Sequence, residues 1–296
     1  MKKNFVLHIR RLAVLFFDFL FDHNWFYRLL GWMNYRFLEI RTVFLMYPEQ
    51  RKYALAFVYP SRLPKVKWNP FLAGFFVQNG KLGLMFAISA TPDDFRNPEN
   101  EKGLRSMVQR MEEIRQLVGA PRKTFAGILP GVLYAKRIVR VAPEAELTVE
   151  GILIAVDLIK KKEKIYVNVP IIALGGGGFI GRRLVKKLRD KGEQVIVVDK
   201  GDPWPDVREV AIVINMTLKD ALLEYLDKMN PEMIVVNEVY PPPNPGNFAG
   251  RVRSLYHIKG AKAFALPPFP HAYRGGIPLC AAFFHDQIDI LVDKLL

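Results

Sequence analysis

Residues 171–181 read IIALGGGGFIG, and this stretch decides the fold that we predict for the chain. Four apolar residues lead into four glycines, and a basic amphipathic segment, residues 182–188, follows directly. Three glycines, Gly176, Gly178 and Gly181, have the spacing G-x-G-x-x-G. The first permits a tight turn, the second lets the backbone approach a diphosphate, and the third lets a helix pack on a strand. The pattern therefore predicts a strand, a phosphate-binding turn and a helix.

A second predicted strand, residues 194–198, supports the same interpretation. It ends at Asp199, eighteen residues after the last glycine, where a carboxylate can accept hydrogen bonds from the ribose hydroxyls of a dinucleotide. The N-terminus of the intervening helix offers N–H groups to phosphates. We therefore predict a Rossmann domain that binds NAD or NADP. Asp199 favours NAD because a carboxylate repels a 2′-phosphate, whereas Lys200, Arg182 and Arg183 weaken that preference.

Two alternatives stay open for the glycine-rich turn. It can belong to a Rossmann fold that no longer binds a nucleotide, or to a methyltransferase. Methyltransferase turns usually read G-x-G-x-G, and this spacing cannot be placed here because Phe179 and Ile180 follow Gly178.

The ends of the later strands supply further candidate cofactor contacts. In a doubly wound sheet, ligands bind outside the carboxyl ends of the strands. Polar residues follow predicted strands at 210–216 and 233–236, and a helix is predicted between them at 218–229. A proline-rich loop, residues 240–246, comes next. The four strand-end residues among the candidates can instead cap a helix or turn. The candidate cofactor-binding residues are Gly176, Gly177, Gly178, Phe179, Ile180, Gly181, Asp199, Lys200, Asn215, Thr217, Asn237 and Glu238.

Candidate catalytic residues lie near the C-terminus. Histidine is the usual proton donor near neutral pH, and a carbonyl that accepts a hydride needs such a donor. His271 and His257 are therefore candidates, and Lys259 or Tyr273 can polarise a carbonyl instead. Each of these residues can also be structural. The histidines form no i, i+4 pair, so we expect no metal site.

The first half of the chain is predicted to form its own domain. We place an N-terminal substrate or partner domain at residues 1–164 and the Rossmann domain at residues 165–296. Within the first domain, the pattern predicts a helix at 101–118, a strand at 123–129 and a helix from Pro130 to Arg140. Residues 1–45 are rich in aromatic and basic side chains, and the apolar run at 5–21 is too interrupted by charge to span a bilayer. These segments are predicted to be amphipathic helices that pack on the core or form a homodimer. Contact with an anionic membrane surface is the alternative.

Composition narrows the choice of compartment and partner. The formal net charge of +14 predicts attraction to anions, but no nucleic-acid motif is visible, so we expect no specific nucleic-acid partner. The single cysteine, Cys280, excludes an internal disulfide and any cysteine-based metal site. No cleavage pattern of a signal peptide is evident. We therefore expect a cytoplasmic protein, with membrane association as an alternative.

Three features resemble known families. The order of the two predicted domains is similar to that of the shikimate-dehydrogenase-like group. Residues 127–138, GILPGVLYAKRI, resemble the L-P-x-x-L-x-x-R-R-I segment of the long-chain acyl-carrier-protein reductases. The turn GGGGFIG resembles the G-G-x-G-F-I-G of nucleotide-sugar epimerases. The chain departs from the last two of these families. The reductases resemble enzymes that form a thioester on a cysteine nucleophile, and this chain has no cysteine besides Cys280. The epimerases have a catalytic Y-x-x-x-K pair, and no such pair follows the turn here.

We therefore expect an α/β protein: a C-terminal doubly wound Rossmann domain preceded by a separate α/β domain. The expected activity is NAD(P)-dependent hydride transfer to or from a carbonyl, alcohol or acyl substrate, and the aromatic N-terminus favours a lipophilic one. One alternative is a non-catalytic nucleotide-binding protein that docks on a membrane or a protein partner. Another is a membrane-associated scaffold whose glycine-rich turn binds no cofactor.

Overall fold

The computed structural model describes residues 2–217, 221–269, 273–283 and 288–296. The chain divides into two compact units. Unit 1 comprises Met1–Glu144, Ala263–Pro268 and Cys280–Phe283, and unit 2 comprises Ala145–Lys262, Phe269–Leu279 and Phe284–Leu296. Two short segments from the C-terminal part of the chain thus belong to unit 1.

The first division between the units falls earlier than the boundary expected at residue 164. It follows Glu144, in the first turn of a helix at Pro143–Lys162. Near its C-terminal end, this helix is tied to unit 2 by an ion pair between Lys160 Nζ and Glu193 Oε1 at 2.6 Å. The assignment of residues 1–164 to a substrate or partner domain stays a prediction.

Unit 1 contains a five-stranded mixed sheet with the order β10–β2–β3–β1–β4. β1 runs parallel to β3 and β4, whereas β2 is antiparallel to β3 and to β10. The strands are β1 (Ile40–Met46), β2 (Phe71–Gln78), β3 (Lys81–Ala87), β4 (Arg122–Phe125) and β10 (Phe264–Leu266). The helices are α1 (Lys2–Phe21), α2 (Asn24–Arg36), α3 (Arg51–Ala54), α4 (Pro92–Arg96), α5 (Glu101–Val118) and α6 (Leu129–Ala135).

The local sequence explains two features of unit 1. β2 and β3 form a hairpin around Asn79 and Gly80, whose φ angles of 49° and 74° suit a tight two-residue turn. α5 buries apolar side chains at helical spacing, including Leu104, Met111 and Val118, and ends at Gly119 with φ of 70°. The sequence predicted α5 with the same bounds.

Unit 2 contains a seven-stranded sheet. Five strands, in the order β6–β5–β7–β8–β9, are parallel, and β11 and β12 pair antiparallel with β9. The strands are β5 (Ile171–Leu174), β6 (Val195–Val198), β7 (Ile212–Asn215), β8 (Ile234–Asn237), β9 (Ser254–Lys262), β11 (Gly276–Ile277) and β12 (Ile290–Lys294). The helices of this part are α7 (Pro143–Lys162) and α8 (Gly181–Asp190).

The strand order of unit 2 creates a switch point between β5 and β7. From β5 the chain moves to β6 on one side, then returns to β7 on the other side. Ligands of doubly wound sheets bind outside the carboxyl ends of the strands at this point. Residues of β5, β7 and β8 are fully buried, as expected for central parallel strands. The mixed α/β architecture with a Rossmann-like parallel sheet is therefore confirmed.

Several elements differ from the sequence-based expectation. The helix expected to run to Arg140 ends at Ala135, and the strand expected to reach Leu129 ends at Phe125. Of the helix expected at 218–229, residues 218–220 lie outside the described residues, and Leu223–Lys228 is a 3-10 helix. Among the described helices, none is long and apolar enough to cross a bilayer.

Candidate functional site

The glycine-rich turn is closely packed between β5 and α8. Gly175 has φ of 83°, and its N–H donates to Val198 O at 2.8 Å. A Cβ atom at Gly181 would lie 2.1 Å from Gly175 O, and one at Gly176 would lie 2.8 Å from Val197 Cγ1. Side chains are therefore excluded at these two positions by the approach of α8 and β6. The turn has the close packing that the motif predicts.

Gly178 is different from its neighbours because a side chain there would meet little of the described structure. A Cβ atom at this position would lie 3.1 Å from Gly175 O and would meet no other atom of the described residues within 4 Å. The N–H of Gly178 donates to Gly175 O at 3.0 Å, which fixes the turn. A side chain at this position would fill space beside the N-terminus of α8. A diphosphate binds at helix N-termini and needs a bare backbone there, and the open position at Gly178 meets that second requirement.

Asp199 lies beside the turn, at the carboxyl end of β6. Its two carboxylate oxygens each lie 3.0 Å from the N–H of Gly177, which donates to them. A Cβ atom at Gly177 would come within 2.3 Å of Oδ2, so only glycine permits this contact. The N–H of Asp199 in turn donates to Asp202 Oδ2 at 2.9 Å. The carboxylate is thus held where the motif places the acceptor for ribose hydroxyls, and that role stays a prediction.

The cations around the turn are not equally available. The Arg183 guanidinium lies over the Phe179 ring at 4.3 Å, donates to Phe179 O at 2.7 Å and pairs with Glu146 at 3.4 Å. Arg182 and Lys200 are exposed, and neither has an ion-pair partner among the described residues. These two side chains are therefore available to an anion near the turn, whereas Arg183 is engaged.

A buried polar network joins the carboxyl ends of β7 and β8 to the middle of β9. The register pairs Asn215 of β7 with Asn237 of β8, and Asn237 with His257 of β9. Asn215 Nδ2 donates to Asn237 Oδ1 at 2.7 Å, and Asn237 Nδ2 donates to Val239 O at 2.6 Å. Thr217 Oγ1 donates to Asn215 Oδ1 at 2.7 Å. The network fixes the ends of β7 and β8 against β9. The sequence does not predict it, because its members are far apart along the chain.

Thr217 lies against the glycine-rich turn. A Cβ atom at Gly175 would be 2.6 Å from Thr217 Cγ2 and 3.4 Å from the Met216 carbonyl carbon. The end of β7 therefore meets the turn that follows β5, at the switch point of the sheet. Of the strand-end candidates, Thr217 is the one that the structure brings into contact with the turn.

His257 lies inside the polar network. The ring is buried, and burial lowers its pKa below the ordinary value. Its Nδ1 lies 3.0 Å from Asn237 Nδ2, which also donates to Val239 O. Nδ1 also lies 3.2 Å from Asn237 O, so it accepts from the amide in one tautomer and donates to the carbonyl in the other. The lowered pKa favours a neutral ring. Burial and this contact suit a positioning role better than proton donation to a substrate, and the predicted catalytic role stays untested.

The other catalytic candidates have different surroundings. Lys259 Nζ lies 3.2 Å from Asp293 Oδ2, so its charge is paired across β9 and β12. The Tyr273 ring packs against Tyr240, with centroids 5.9 Å apart, and Tyr240 follows the end of β8. Tyr273 is thereby placed beside the proline-rich loop. His271 lies outside the described residues.

Glu238 has the most distinctive electrostatics at this edge of the sheet. It follows the last residue of β8, and its N–H donates to Asn215 O at 3.2 Å. Burial raises the pKa of its carboxyl group to about 7, and no hydrogen bond to this carboxyl is found among the described residues. A carboxyl with a pKa near neutrality can both donate and accept a proton. The sequence marked Glu238 as a cofactor contact and gave no sign of this shift.

Comparison with known proteins supports the nature of the cofactor. Residues 171–239 match the family model described as the NAD dependent epimerase/dehydratase family. No curated protein matches the chain. The matched segment covers β5, the glycine-rich turn, α8, β6, β7 and β8, and it is similar to proteins that bind NAD(P) and carry out oxidoreductase or epimerase chemistry. NAD(P) is therefore the cofactor of this segment. The comparison gives no support to the likeness with the shikimate-dehydrogenase-like or acyl-carrier-protein reductase groups.

Proposed function

We propose that this protein is an oxidoreductase that transfers hydride between NAD(P) and a carbonyl, alcohol or acyl substrate. One observation carries the proposal: the bare backbone at Gly178 opens beside the N-terminus of α8, at the switch point of a parallel sheet. The match of this segment to an NAD-dependent family supports NAD(P) as the ligand that binds there. The aromatic and cationic N-terminal segment favours a lipophilic or acyl-carried substrate.

The chain has residues suited to each part of the cofactor. The N–H groups at the start of α8 and the exposed Arg182 would hold the diphosphate. Asp199 would accept from the ribose hydroxyls, which favours NAD over NADP, while Lys200 would reduce this preference by attracting a 2′-phosphate. Thr217 and the end of β8 would lie toward the nicotinamide half.

The protein must also provide a proton. The bound cofactor supplies or accepts the hydride, and reduction of a carbonyl needs one proton for the new hydroxyl oxygen. We assign this proton to the Glu238 carboxyl, because its pKa of about 7 leaves both protonation states populated near neutral pH. Tyr273, beside Tyr240, is the second candidate.

A non-catalytic nucleotide-binding protein is the competing proposal. It is favoured by the surroundings of the basic candidates: His257 is buried in an amide network, and Lys259 is paired with Asp293. In that case the chain binds the cofactor and converts no substrate. The two proposals differ in turnover and agree on cofactor binding.

Absorbance of the reduced cofactor, followed with aldehydes, ketones and acyl thioesters of increasing chain length, tests the proposal. We expect turnover that increases with chain length, and Glu238→Gln should lower kcat by about 100-fold, the usual scale of general acid–base catalysis. It should also remove the pH dependence near 7. The control is Glu232→Gln, an exposed carboxylate two residues before β8. If Glu238→Gln has the turnover and the pH profile of wild type, Glu238 is not the proton donor. Cofactor binding without turnover on any member of the series would favour the non-catalytic alternative.

A further inference from the structure

One side of α2 presents large apolar and cationic side chains to solvent. Their spacing of three or four residues places them along a single helix face. Trp25, Trp32 and Tyr35 are 60%, 57% and 84% exposed. The sequence of α2 contains no acidic residue. We call this surface the α2 face, and it comprises Trp25, Arg28, Leu29, Trp32, Tyr35 and Arg36.

The opposite side of α2 is firmly anchored, so the α2 face is not exposed through loose packing. Gly31 lies so close to α5 that a Cβ atom there would be 2.1 Å from Leu117 O. Asn34 Nδ2 donates to Val118 O at 3.1 Å and Gly119 O at 3.2 Å, and its Oδ1 accepts from Ile40 N–H at 2.7 Å. These contacts fix the rotation of α2 and hold the aromatic side outward.

Exposed apolar side chains are concentrated in the same part of the sequence. Of the twenty large apolar side chains found exposed in the described residues, ten lie between Leu12 and Phe57. Among them are Phe16 and Phe19 of α1, which line an open groove of about 560 Å³ in unit 1. Lys65 lies at the same groove and has no ion-pair partner among the described residues. Patches of this kind on a folded protein mark interaction surfaces.

We infer that the α2 face binds the surface of an anionic lipid membrane. Tryptophan and tyrosine favour the boundary between headgroups and acyl chains because each has an apolar ring and a polar group. Arg28 and Arg36 can pair with lipid phosphates at that level. Residues 1–80 contain twelve Lys or Arg and four Asp or Glu, so the electrostatics of this segment favour an anionic partner.

Charge argues against a second copy of the chain as the occupant. In a two-fold symmetric dimer the same patch meets itself, so each α2 face would bring Arg28 and Arg36 toward their own counterparts. No acidic residue of α2 is available to neutralise them. An anionic bilayer satisfies the cationic and the aromatic side chains together.

Vesicle co-sedimentation of the full-length protein tests the inference. We expect binding to vesicles of phosphatidylglycerol and phosphatidylcholine, weak binding to phosphatidylcholine alone, and loss of binding at high salt. Trp25 and Trp32 should shift their fluorescence to shorter wavelength on binding. Arg28→Gln with Arg36→Gln should lower partitioning about 30-fold, since each cation contributes about 1 kcal/mol near an anionic surface.

A second pair of variants tests whether binding depends on the α2 face or on exposed apolar side chains anywhere on the protein. Trp25→Ser with Trp32→Ser should abolish most binding, whereas Tyr166→Ser with Val167→Ser, at an exposed site in unit 2, should not change it. Far-UV circular dichroism checks that all variants fold. Failure of the wild-type protein to bind vesicles would overturn the inference. Vesicle binding as strong as that of wild type in both the arginine and the tryptophan double variants would also overturn it. Self-association through the α2 face without lipid binding would assign it to a dimer instead. None of these results depends on the cofactor, so the proposed function is tested separately.

Discussion

At the residue scale, two carboxyl groups of the described residues have pKa values that burial raises to about 7. Glu238, which is half-buried, lies at the candidate site, whereas the buried Glu144 lies in unit 1, in the first turn of α7. Glu144 is almost fully buried, and its Oε1 accepts from Phe125 N–H at 2.8 Å. Burial outweighs this hydrogen bond and the nearby charge of Lys123, so the protonated form is favoured in the folded protein.

Glu144 should make the stability of the protein depend on pH. Its folded-state pKa is about 7 and its ordinary value is 4.5. The stabilisation is therefore complete below about pH 4.5 and is lost as the pH rises through 7, at a cost of about 3 kcal/mol. Glu144→Gln keeps the acceptor for Phe125 and does not titrate, so it should be more stable than wild type at pH 8 and similar at pH 4.5.

Urea unfolding between pH 4.5 and pH 8 measures this difference. The control is Glu49→Gln, which changes an exposed carboxylate of unit 1 and should retain the wild-type pH dependence. If Glu144→Gln and wild type lose stability in parallel as the pH rises, Glu144 ionises normally in the folded protein.

Residues of the site differ in how far the sequence predicts them. The glycines and Asp199 were predictable because one local motif fixes the order of strand, turn, helix and strand. The contact of Asp199 with Gly177 and the network of Asn215, Asn237 and His257 join residues that are distant in sequence. The raised pKa of Glu238 depends on burial by the folded chain. Such properties arise only when strands become neighbours.

At the element scale, α2 depends on a side-chain contact with the end of α5. Asn34 makes three hydrogen bonds, two to carbonyls at the end of α5 and one from the first residue of β1. Asn34→Ala would leave these backbone groups without that partner and should destabilise the protein by about 2 kcal/mol. Thermal unfolding measures the effect. Asn69→Ala, at an exposed position, is the control, and equal unfolding midpoints for the two variants would show that Asn34 does not hold α2 in place.

Elements with strong local patterns were the ones predicted well. α5 has apolar residues at helical spacing and a terminal glycine, and its bounds were predicted. β1 was missed because the aromatic segment before it continues the apolar character of α2 up to Ile40. β10 and β11 have three and two residues, and both form through pairing with distant strands, so no local pattern marks them.

At the scale of the whole molecule, the chain combines a nucleotide-binding unit with a unit that exposes aromatic and cationic side chains. The parallel sheet of unit 2 and its match to an NAD-dependent family agree with the sequence-based prediction. The sequence also predicted a separate N-terminal domain. In the structure the first division follows Glu144, and two C-terminal segments belong to unit 1. The membership of these two segments was not predictable, because short segments beyond Lys262 have no sequence pattern that indicates which sheet or unit they join.

Calorimetric titration with NAD and NADP, each oxidised and reduced, tests the central claim most directly. We expect wild type to bind, with NAD preferred because of Asp199. Gly178→Val should abolish binding, because its side chain would fill the space next to α8. It should not unfold the protein, because among the described residues its Cβ meets only Gly175 O within 4 Å. If wild type binds none of the four nucleotides, or if Gly178→Val binds them as tightly as wild type, the bare backbone at Gly178 is not a dinucleotide site.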